Sequence, residues 1–386
     1  MNPADLPNEV KTALTAETLL AAVREVAQGP LRKQTTAIDR DGAYPRDVLR
    51  QLGALGGMSA HLDLAGAAAD FGLSIQSMAE VSRVCGATGF MMWCQAVCGL
   101  YLQQSGNPAL TGDFLRQHAS GDGLGGTALS NPMKTYAQIE TLMLKATPVL
   151  GGFHVNGSLP WVSNLGEGHY FGAIAAVQEA DGTSDHELMF VARCDSPGLA
   201  LRDCPSFSAM EGTGTFGLRF KDYFVGAPDI IANPAKPYIG RIRGAFVMLQ
   251  CGMALGVTQG AIDSMEDVEK QLGHVNQFLN DRPDTLQAEL DALHERVMQL
   301  AKTPFDASKA FFSAVLSARA QASELCLRAA QSALLHQGAR GYLLSSSVQR
   351  RVRESHFVAI VTPAVKHLRK EIARLASEAQ VEAQAA

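Results

Sequence analysis

The spacing of apolar residues changes twice along this chain, and this change limits the folds that it can adopt. From about Ala16 to Gly121, apolar residues recur every three or four positions, as in AETLLAAVREVA and FGLSIQSMAEVSRVCG, which is typical of amphipathic helices. From Leu124 to about Pro228, short runs such as HELMFVARC and TFGLRFKDYFV are separated by Gly, Asp, Asn and Pro, which indicates strands and turns. Helical periodicity returns from about Ile239 and continues almost to the end. The predicted order is therefore α, then β, then α.

Domain boundaries are predicted where this pattern changes. A chain of 386 residues with 47% hydrophobic residues is long enough to bury a large core and to divide into two or three domains. We predict an N-terminal helical domain over residues 1–123, a β domain over residues 124–234 and a C-terminal helical domain over residues 235–386. Because runs of helices and runs of strands are segregated, the expected fold class is α+β.

Charge and hydropathy argue against several kinds of partner. The net charge of -5 and the isoelectric point near 6.1 argue against nucleic-acid binding, which needs an excess of Lys and Arg on one face. The N-terminal residues have no basic start followed by an apolar run, so we expect a cytoplasmic protein without a signal peptide. The apolar run at 244–262 includes Gln250, Thr258 and Gln259, which favours a buried core helix over a membrane span. No membrane partner is expected.

The cysteines and histidines do not predict a metal site. The chain has seven cysteines without a CxxC pair and ten scattered histidines, so we expect reduced thiols that are mostly buried in the core. The GDGLGG segment at 121–126 matches a dinucleotide-binding pattern by letter. It follows a predicted helix instead of a strand and does not lead into a helix, so we interpret it as a loop between domains.

Four motifs occur in an order that resembles one enzyme superfamily. They are AIDRDGAYPRDVLRQLGALG at 37–56, LSNP at 129–132, VNGSLPWVSN at 155–164 and HQGARGYLLSSSVQRRVRES at 336–355. Together with the α, β, α order, they resemble the acyl-CoA dehydrogenase superfamily of flavoproteins over nearly the whole chain. The resemblance implies a helical N-terminal domain, a middle β-barrel domain and a C-terminal four-helix bundle.

The resemblance also implies a flavin and the residues that bind it. A flavin needs an apolar wall against its flat ring and polar groups near its nitrogens and carbonyls. In the superfamily, a hydroxyl at the Ser163 position lies near flavin N5, and a hydroxyl at the Ser130 position lies near the pyrimidine end of the ring. The expected cofactor is FAD, with FMN as the alternative. The residues expected to bind it are Leu129, Ser130, Trp161, Val162, Ser163 and Gly338.

The catalytic base of the superfamily is missing from its usual position. Acyl-CoA dehydrogenases use the Glu of a Glu-Gly-Thr triplet to remove the α-proton of an acyl thioester, and counting from Arg353 places this Glu at Thr362. A threonine hydroxyl has too low a proton affinity to take a proton from carbon. Residues 241–262, where some members place the carboxylate, contain no Asp or Glu. His356 is the nearest group that could act as a base, so Thr362 and His356 are the candidate catalytic residues.

The residues expected to hold the tail of FAD also differ from the superfamily pattern. The Arg-x-x-Phe-Gly motif, which in the superfamily meets the FAD of a neighbouring subunit, corresponds to EKQLG at 269–273, so the charge at the arginine position is reversed. The basic residues near the end of the chain either meet a phosphate or form a solvated basic face of a helix; they are Arg350, Arg351, Arg353, Lys366 and Arg369. The solvated face is the favoured interpretation.

Three functions remain open. The first is a flavin-dependent oxidoreductase that oxidises an acyl-thioester-like small molecule, such as an acyl-CoA, and passes electrons to an acceptor. The second is a two-component monooxygenase, in which a flavin reductase supplies reduced flavin and no carboxylate base is needed; Pro363 and the altered FAD-tail residues fit it. The third is a non-catalytic homologue. The first is ranked slightly ahead on the overall pattern. The expected assembly is a homodimer or homotetramer, because in the superfamily the C-terminal helices form the subunit interface.

Overall fold

The computed structural model describes residues 15–64, 68–178, 182–184 and 186–385. The first described part of the chain is helical, and a π-helical segment, Ala27–Leu31, joins its first two α-helices. The α-helices are α1 (Ala16–Val26), α2 (Arg32–Arg40), α3 (Arg46–Ala54), α4 (Phe71–Ser82), α5 (Gly86–Gln104), α6 (Pro108–Thr111) and α7 (Asp113–Ser120).

A mixed sheet follows these helices. In the described part of the chain the strands are ordered β6-β7-β3-β2-β4-β5-β8, and β1 pairs with β4. The β1–β4 and β2–β4 pairs are parallel, whereas the other pairs are antiparallel. The strands are β1 (Gly125–Thr127), β2 (Leu144–Val149), β3 (Gly152–Val162), β4 (Tyr170–Val177), β5 (Glu187–Arg193), β6 (Leu199–Asp203), β7 (Phe216–Gly226) and β8 (Ile230–Ala232); a short helix, α8 (Ser130–Tyr136), lies between β1 and β2.

The C-terminal part of the chain is helical again. The first two helices follow each other directly and are separated only by Gln250. Four further α-helices follow them in the described part of the chain. The helices are α9 (Ala235–Leu249), α10 (Cys251–Asn276), α11 (Pro283–Leu300), α12 (Lys309–Gln337), α13 (Ser347–Ile360) and α14 (Val365–Ala385).

Local residue choices explain where several of these helices begin and end. The Asp70 carboxylate accepts a hydrogen bond from Leu73 N at 2.8 Å, and the Ser308 hydroxyl accepts one from Phe311 N at 3.1 Å, so both residues act as N-caps. Gly121 follows α7 with a φ of 79°, a conformation that favours glycine. Gly121 therefore ends the helix, and the GDGLGG segment leads through a loop into β1, as predicted.

The predicted α+β class and the helical, sheet, helical arrangement are confirmed. The exact domain boundaries stay a prediction. The structure differs from the sequence expectation in two places: the helix α8, which begins within LSNP, interrupts the predicted β segment, and the apolar run at 244–262 is interrupted at Gln250. Within the described residues, the stretch Ala235–Asn276 is long and apolar enough to cross a membrane by length and composition, but 94% of its most apolar window is buried inside the protein. That burial matches the core-helix interpretation.

Glycines at four-residue spacing allow α10 to pack closely against α4. A Cβ atom at Gly252, Gly256 or Gly260 would overlap the backbone carbonyl oxygen of Ile75, Ala79 or Arg83 respectively. Since residues four apart lie on one face of a helix, the three glycines form one groove along α10. The backbone of α4 lies in this groove, which joins the first helical region to the C-terminal one.

Arg353 and Glu354 on α13 form a second junction between these regions. The Glu354 side chain is 3% exposed and accepts a hydrogen bond from Gly86 N at 3.0 Å. It thereby caps the N-terminus of α5, where Cys85 at the N-cap makes no side-chain cap hydrogen bond. Arg353 donates two hydrogen bonds to the Asp39 carboxylate on α2, at 2.7 and 2.6 Å. The two side chains bind opposite parts of the N-terminal helical region.

The favoured interpretation of a solvated basic face is wrong for Arg350 and Arg351, whereas Lys366 and Arg369 on α14 are exposed. Arg350 and Arg351 are each 8% exposed. Arg350 donates to the Val84 carbonyl at 2.7 Å, and Arg351 donates to the Ser264 hydroxyl at 2.8 Å. Burial lowers the pKa of Arg351 to about 10. The pattern misled because α13 is covered on more than one side, so its basic residues bind main-chain carbonyls and hydroxyls instead of solvent.

We expect Gly256→Ala to destabilise the protein by roughly 2 kcal/mol, because the new methyl group forces α4 and α10 apart. Gly240→Ala is the matched control: Gly240 is also helical, on α9, but has nothing within 4 Å of its Cβ position. Since alanine favours the helix, the control should be neutral or stabilised by about 0.5 kcal/mol. The midpoint of urea unfolding measures both. Equal midpoints for the two variants would contradict the close approach.

We expect Glu354→Ala to cost about 3 kcal/mol, because it leaves the Gly86 N–H without its acceptor and the buried Arg350 without its carboxylate. Glu354→Gln keeps an acceptor and should cost less. As a control, Glu324→Ala removes a solvent-exposed pair with Arg369 and should change stability by about 0.5 kcal/mol or less. Thermal unfolding of the three variants tests this, and a cost for Glu354→Ala as small as the control would disprove the capping role.

Candidate functional site

A cavity of about 280 Å³ lies where the sheet meets the helices. It is formed by α5, the β1–α8 segment, the end of β3, α9 and the residues that link α13 to α14. The apolar lining residues are Phe90, Trp93, Ala128, Met143, Leu159, Pro160, Trp161, Val162, Phe246, Phe357, Ile360 and Val361. The polar lining residues are Thr127, Ser130, Asn131, Lys134, Glu140, Ser163 and Thr362.

One wall of the cavity consists of aromatic rings from three helices. The Phe90 and Trp93 rings on α5 are stacked with centroids 5.7 Å apart and an interplanar angle of 17°. Phe357 on α13 meets Phe90 edge-on at 4.6 Å, and Phe246 on α9 meets Trp93 edge-on at 5.2 Å. These rings fix one another, so this wall is rigid and excludes water from one side of the cavity.

The end of β3 presents Trp161 to the opposite side. The pairing of β3 with β7 shifts register between Leu159 and Val162, and a register shift of this kind re-aims side chains. Leu159 and Val162 are buried at 5% and 2%, whereas Trp161 between them is 60% exposed. Its ring contacts Phe207 edge-on, with centroids 6.3 Å apart. A large indole left exposed beside a cavity is typical of a binding surface.

Ser163 is held by a chain of threonine hydroxyls. The Ser163 and Thr215 hydroxyl oxygens are 2.6 Å apart, and those of Thr215 and Thr213 are 2.8 Å apart. Thr213 in turn donates to the Met210 carbonyl at 2.7 Å. Because each hydroxyl can both donate and accept, this chain orients the Ser163 hydroxyl at the cavity surface.

Ser130 and Thr362 meet at the same cavity although they are far apart in sequence. Their hydroxyl oxygens are 2.8 Å apart. Ser130 is the first residue of α8, and Thr362 lies between α13 and α14. The two hydroxyls can act together as a donor and acceptor pair, but neither can ionise near neutral pH. The site therefore offers hydrogen bonds here and no base.

A buried arginine holds Thr362 in position. Arg319 and Gln250 are both fully buried. Arg319 donates to the Gln250 side-chain oxygen at 3.1 Å and to the Val358 carbonyl at 2.6 Å. The Gln250 amide nitrogen then donates to the Thr362 carbonyl at 2.8 Å. The break between α9 and α10 thus places the amide that fixes the backbone of Thr362.

The structure brings together most of the residues predicted from the sequence. Ser130, Trp161, Val162, Ser163 and Thr362 all line the cavity. The remaining candidates do not line it: Leu129 is buried behind Ser130, His356 lies on an exposed part of α13, and Gly338 is in an exposed turn after α12 with a φ of 59°. The assignment of functional roles to all of these residues stays a prediction.

The charged residues of the cavity, Lys134 and Glu140, are not among those predicted from the sequence. The Lys134 ammonium is 2.5 Å from a carboxylate oxygen of Glu140, and Asn131 donates to the other oxygen of Glu140 at 3.1 Å. Partial burial acts to raise the pKa of the Glu140 carboxyl, but the hydrogen bonds from Lys134 and Asn131 outweigh it and the pKa is lowered. If LSNP is recognised as the start of a helix, the four-residue spacing places Lys134 on the same helix face as Ser130 and so predicts that it lies near the cavity.

The cavity residues fit a flavin. Small-molecule sites are mostly apolar, with a few polar groups that fix orientation. Here an aromatic wall and the exposed Trp161 would provide apolar surface for a flat ring, and the hydroxyls of Ser130, Ser163 and Thr362 would be available for hydrogen bonds to it. The exposed indole is the strongest sign of fit, because a planar ligand would cover it.

Comparison with known proteins gives consistent results for sequence and structure. The model of the acyl-CoA dehydrogenase N-terminal domain matches residues 15–122. The probable acyl-CoA dehydrogenase YngJ of Bacillus subtilis is 22% identical over 351 residues, which cover 88% of this chain and 91% of that protein. The mitochondrial short-chain specific acyl-CoA dehydrogenase of Homo sapiens is 24% identical over 375 residues, which cover 90% of this chain and 86% of that protein.

Solved structures show the same fold. Butyryl-CoA dehydrogenase from Megasphaera elsdenii matches with a TM-score of 0.82 at 18% identity, covering 94% of this chain and 98% of that chain. KijD3 in complex with FMN and dTDP-3-amino-2,3,6-trideoxy-4-keto-3-methyl-D-glucose matches with a TM-score of 0.78 at 19% identity, covering 96% and 95%. The chain has the acyl-CoA dehydrogenase fold, and the family-model match over residues 15–122 together with the similar proteins supports its membership of that superfamily.

Proposed function

We propose that this protein is a flavin-dependent oxidoreductase that oxygenates a small-molecule substrate with reduced flavin and O₂. The observation that carries this proposal is the Ser130–Thr362 hydroxyl pair, with 2.8 Å between the oxygens, at the position where a dehydrogenase of this superfamily needs a carboxylate. A reaction that begins with removal of a proton from carbon requires a base there. Oxygenation with reduced flavin does not.

The only carboxylate among the described lining residues is a poor substitute for that base. Glu140 is bound by Lys134 and Asn131, and its pKa is lowered. A carboxylate that is stabilised in its ionised form has less tendency to accept a proton, so it is badly suited to taking one from carbon. These contacts therefore favour a role for Glu140 in binding over a role as a base.

The residues of the cavity would bind and orient the cofactor and the substrate. When bound, the reduced flavin supplies the two electrons with which O₂ gives one oxygen atom to the substrate and the other to water. Trp161 and Val162 provide apolar surface for the ring, and Ser130 and Ser163 provide hydrogen bonds to its polar edge. The aromatic wall around Phe90 keeps bulk water away from the reacting atoms, which limits loss of the oxidising equivalent to solvent.

Two solved structures with this fold hold ligands of different chemistry. The KijD3 structure holds FMN together with a nucleotide sugar, which is a substrate-sized ligand without an acyl thioester. By contrast, glutaryl-coenzyme A dehydrogenase holds glutaryl-CoA, and its TM-score of 0.76 is similar. Because both kinds of ligand occur on this fold, fold similarity alone does not decide between them, and the hydroxyl pair at Ser130 and Thr362 is what favours oxygenation here.

An acyl-CoA dehydrogenase is the second candidate function. The observation that favours it is the presence of one carboxylate, Glu140, at the cavity surface. If Lys134 moved to another partner, Glu140 would lose a hydrogen bond and become a better base. An acyl-CoA would then be the substrate, and an electron acceptor would replace the flavin reductase as partner.

A homodimer or homotetramer is part of the proposal. Exposed apolar side chains cluster near the end of α12 and in the turn that follows it, and burial of this surface by a second subunit would be favourable. They are Leu335, Tyr342, Leu343 and Leu344, which are 54%, 74%, 60% and 69% exposed. Gly338 lies in the same segment, so we assign it a contact with the flavin of a neighbouring subunit. Cytoplasmic localisation stays an expectation.

We expect the double variant Trp161→Ala, Ser163→Ala to weaken flavin binding by about tenfold or more, because an aromatic face and a hydrogen bond are each worth about 1 kcal/mol. Calorimetric titration with FAD and FMN measures this. Phe224→Ala is the control, since Phe224 is also an exposed aromatic of the sheet, at 50%, but does not line the cavity. Unchanged affinity in the double variant would remove the cavity from consideration as the flavin site.

We expect the oxidised flavoprotein to keep its visible flavin absorbance when it is mixed with butyryl-CoA, isovaleryl-CoA or glutaryl-CoA without air, because no base is available. We also expect reduced FMN to bind more tightly than oxidised FMN, as a two-component enzyme requires. Bleaching of the flavin by an acyl-CoA would refute the oxygenase proposal. If Glu140→Gln then abolished the bleaching, Glu140 would be the base and the dehydrogenase function would stand.

A further inference from the structure

We propose that Lys134 binds the phosphate on the ribityl chain of the flavin while it stays paired with Glu140. The proposal rests on the proposed function, because it requires a flavin in the cavity. It concerns the one phosphate position that FMN and FAD share and that riboflavin lacks.

The charges in the cavity point to this lysine. Among the described residues that line the cavity, Lys134 is the only cation and Glu140 is the only anion. A phosphate that enters a largely apolar cavity loses part of its hydration and must be compensated by a cation or by several donors. Lys134 is the residue that can supply this charge from within the cavity.

The position of Lys134 relative to the expected ring site is suitable. Ser130 and Lys134 are four residues apart on α8, so their side chains project from the same face of the helix, with Cβ atoms about 6 Å apart. Ser130 marks the polar edge of the ring in our assignment. A lysine one helical turn further along can therefore reach a group that extends from the ring on a flexible chain.

Lys134 has donors left for a second partner. Its pair with Glu140 is partly open to solvent, with side chains 30% and 31% exposed. An ammonium group has three donors, and Glu140 accepts from one of them. The lysine can therefore bind the phosphate while it keeps its hydrogen bond to Glu140.

Glu140 is held near the phosphate position by its own contacts. Asn131 donates to Glu140 at 3.1 Å and to the Thr141 carbonyl at 2.9 Å, and its own side-chain oxygen accepts from Met143 N at 3.0 Å. These bonds fix the loop that carries the carboxylate. Its negative charge then repels the phosphate, so Glu140 lowers the affinity for phosphorylated flavins and favours their exchange.

The test compares three ligands on the full-length protein: riboflavin, FMN and FAD, by calorimetric titration. We expect Lys134→Met to weaken FMN binding by about tenfold to a hundredfold and to leave riboflavin binding nearly unchanged. Lys134→Arg keeps the charge and should retain most of the affinity. Lys145→Met is the matched control, because Lys145 lies on β2 with an exposed side chain and does not line the cavity.

Glu140→Gln gives a second, opposite prediction. Removal of the negative charge should strengthen FMN binding by about twofold to tenfold at low salt, with a smaller gain at high salt, and should not affect riboflavin. A purely structural role of the Lys134–Glu140 pair predicts instead that both variants weaken all three ligands together.

The outcomes separate this inference from the proposed function. Loss of FMN affinity in Lys134→Met with riboflavin preserved supports the lysine–phosphate contact, and the same loss for FAD extends it to that cofactor. A loss for FMN alone supports it too and identifies FMN as the flavin. Equal binding of riboflavin and FMN by the unaltered protein, or equal weakening of both by the variant, overturns the inference while the flavin site remains. If no flavin binds the unaltered protein, the proposed function fails with it.

Discussion

A single buried guanidinium, that of Arg319, connects the elements on which the cavity depends. It lies on α12 and donates to Ser323 on the same helix, to Gln250 at the α9–α10 break and to the last turns of α13 through the Val358 carbonyl. These acceptors are neutral, and burial lowers the pKa of Arg319. The energetic cost of burying the arginine is offset because its several N–H donors bind three separate segments at once. The backbone of Thr362 is positioned through this network.

The cavity combines an apolar aromatic wall with a polar edge that hydrogen bonds hold in place. The rings of Phe90, Trp93 and their neighbours fix one another in the interior. The hydroxyls and charged groups on the other side come from α8, from the loop after it and from the residues that follow α13. Such a division is expected of a site that holds a planar ring in place while a second ligand enters and leaves. Thr362 lies in the connection between α13 and α14, outside the packed helices. A different residue at this position therefore need not disturb the fold.

The sequence predicts the architecture well because helices and strands have different periods, and the strings AETLLAAVREVA and HELMFVARC are clear examples. Motif resemblance adds Ser130, Trp161, Ser163 and Thr362, which the structure brings to one cavity. Periodicity fails where tertiary contacts decide the outcome. Gln250 breaks an apolar run because its amide binds both Arg319 and Thr362, and Arg351 is buried with the Arg83 carbonyl and the Ser264 hydroxyl as acceptors. The Lys134–Glu140 pair depends on the path of a loop, which residue spacing does not reveal.

The register shift at the end of β3 has an optical consequence. The chain contains two tryptophans, and both line the same cavity. Trp93 is 3% exposed among aromatic rings, whereas Trp161 is 60% exposed because the shift turns it outward. Their fluorescence therefore arises from one buried and one solvent-exposed indole at the same cavity. No third tryptophan contributes to the emission. The native emission of this protein is a built-in probe of its cavity, and a ligand that covers the outer indole changes one component of the spectrum while the inner one serves as reference.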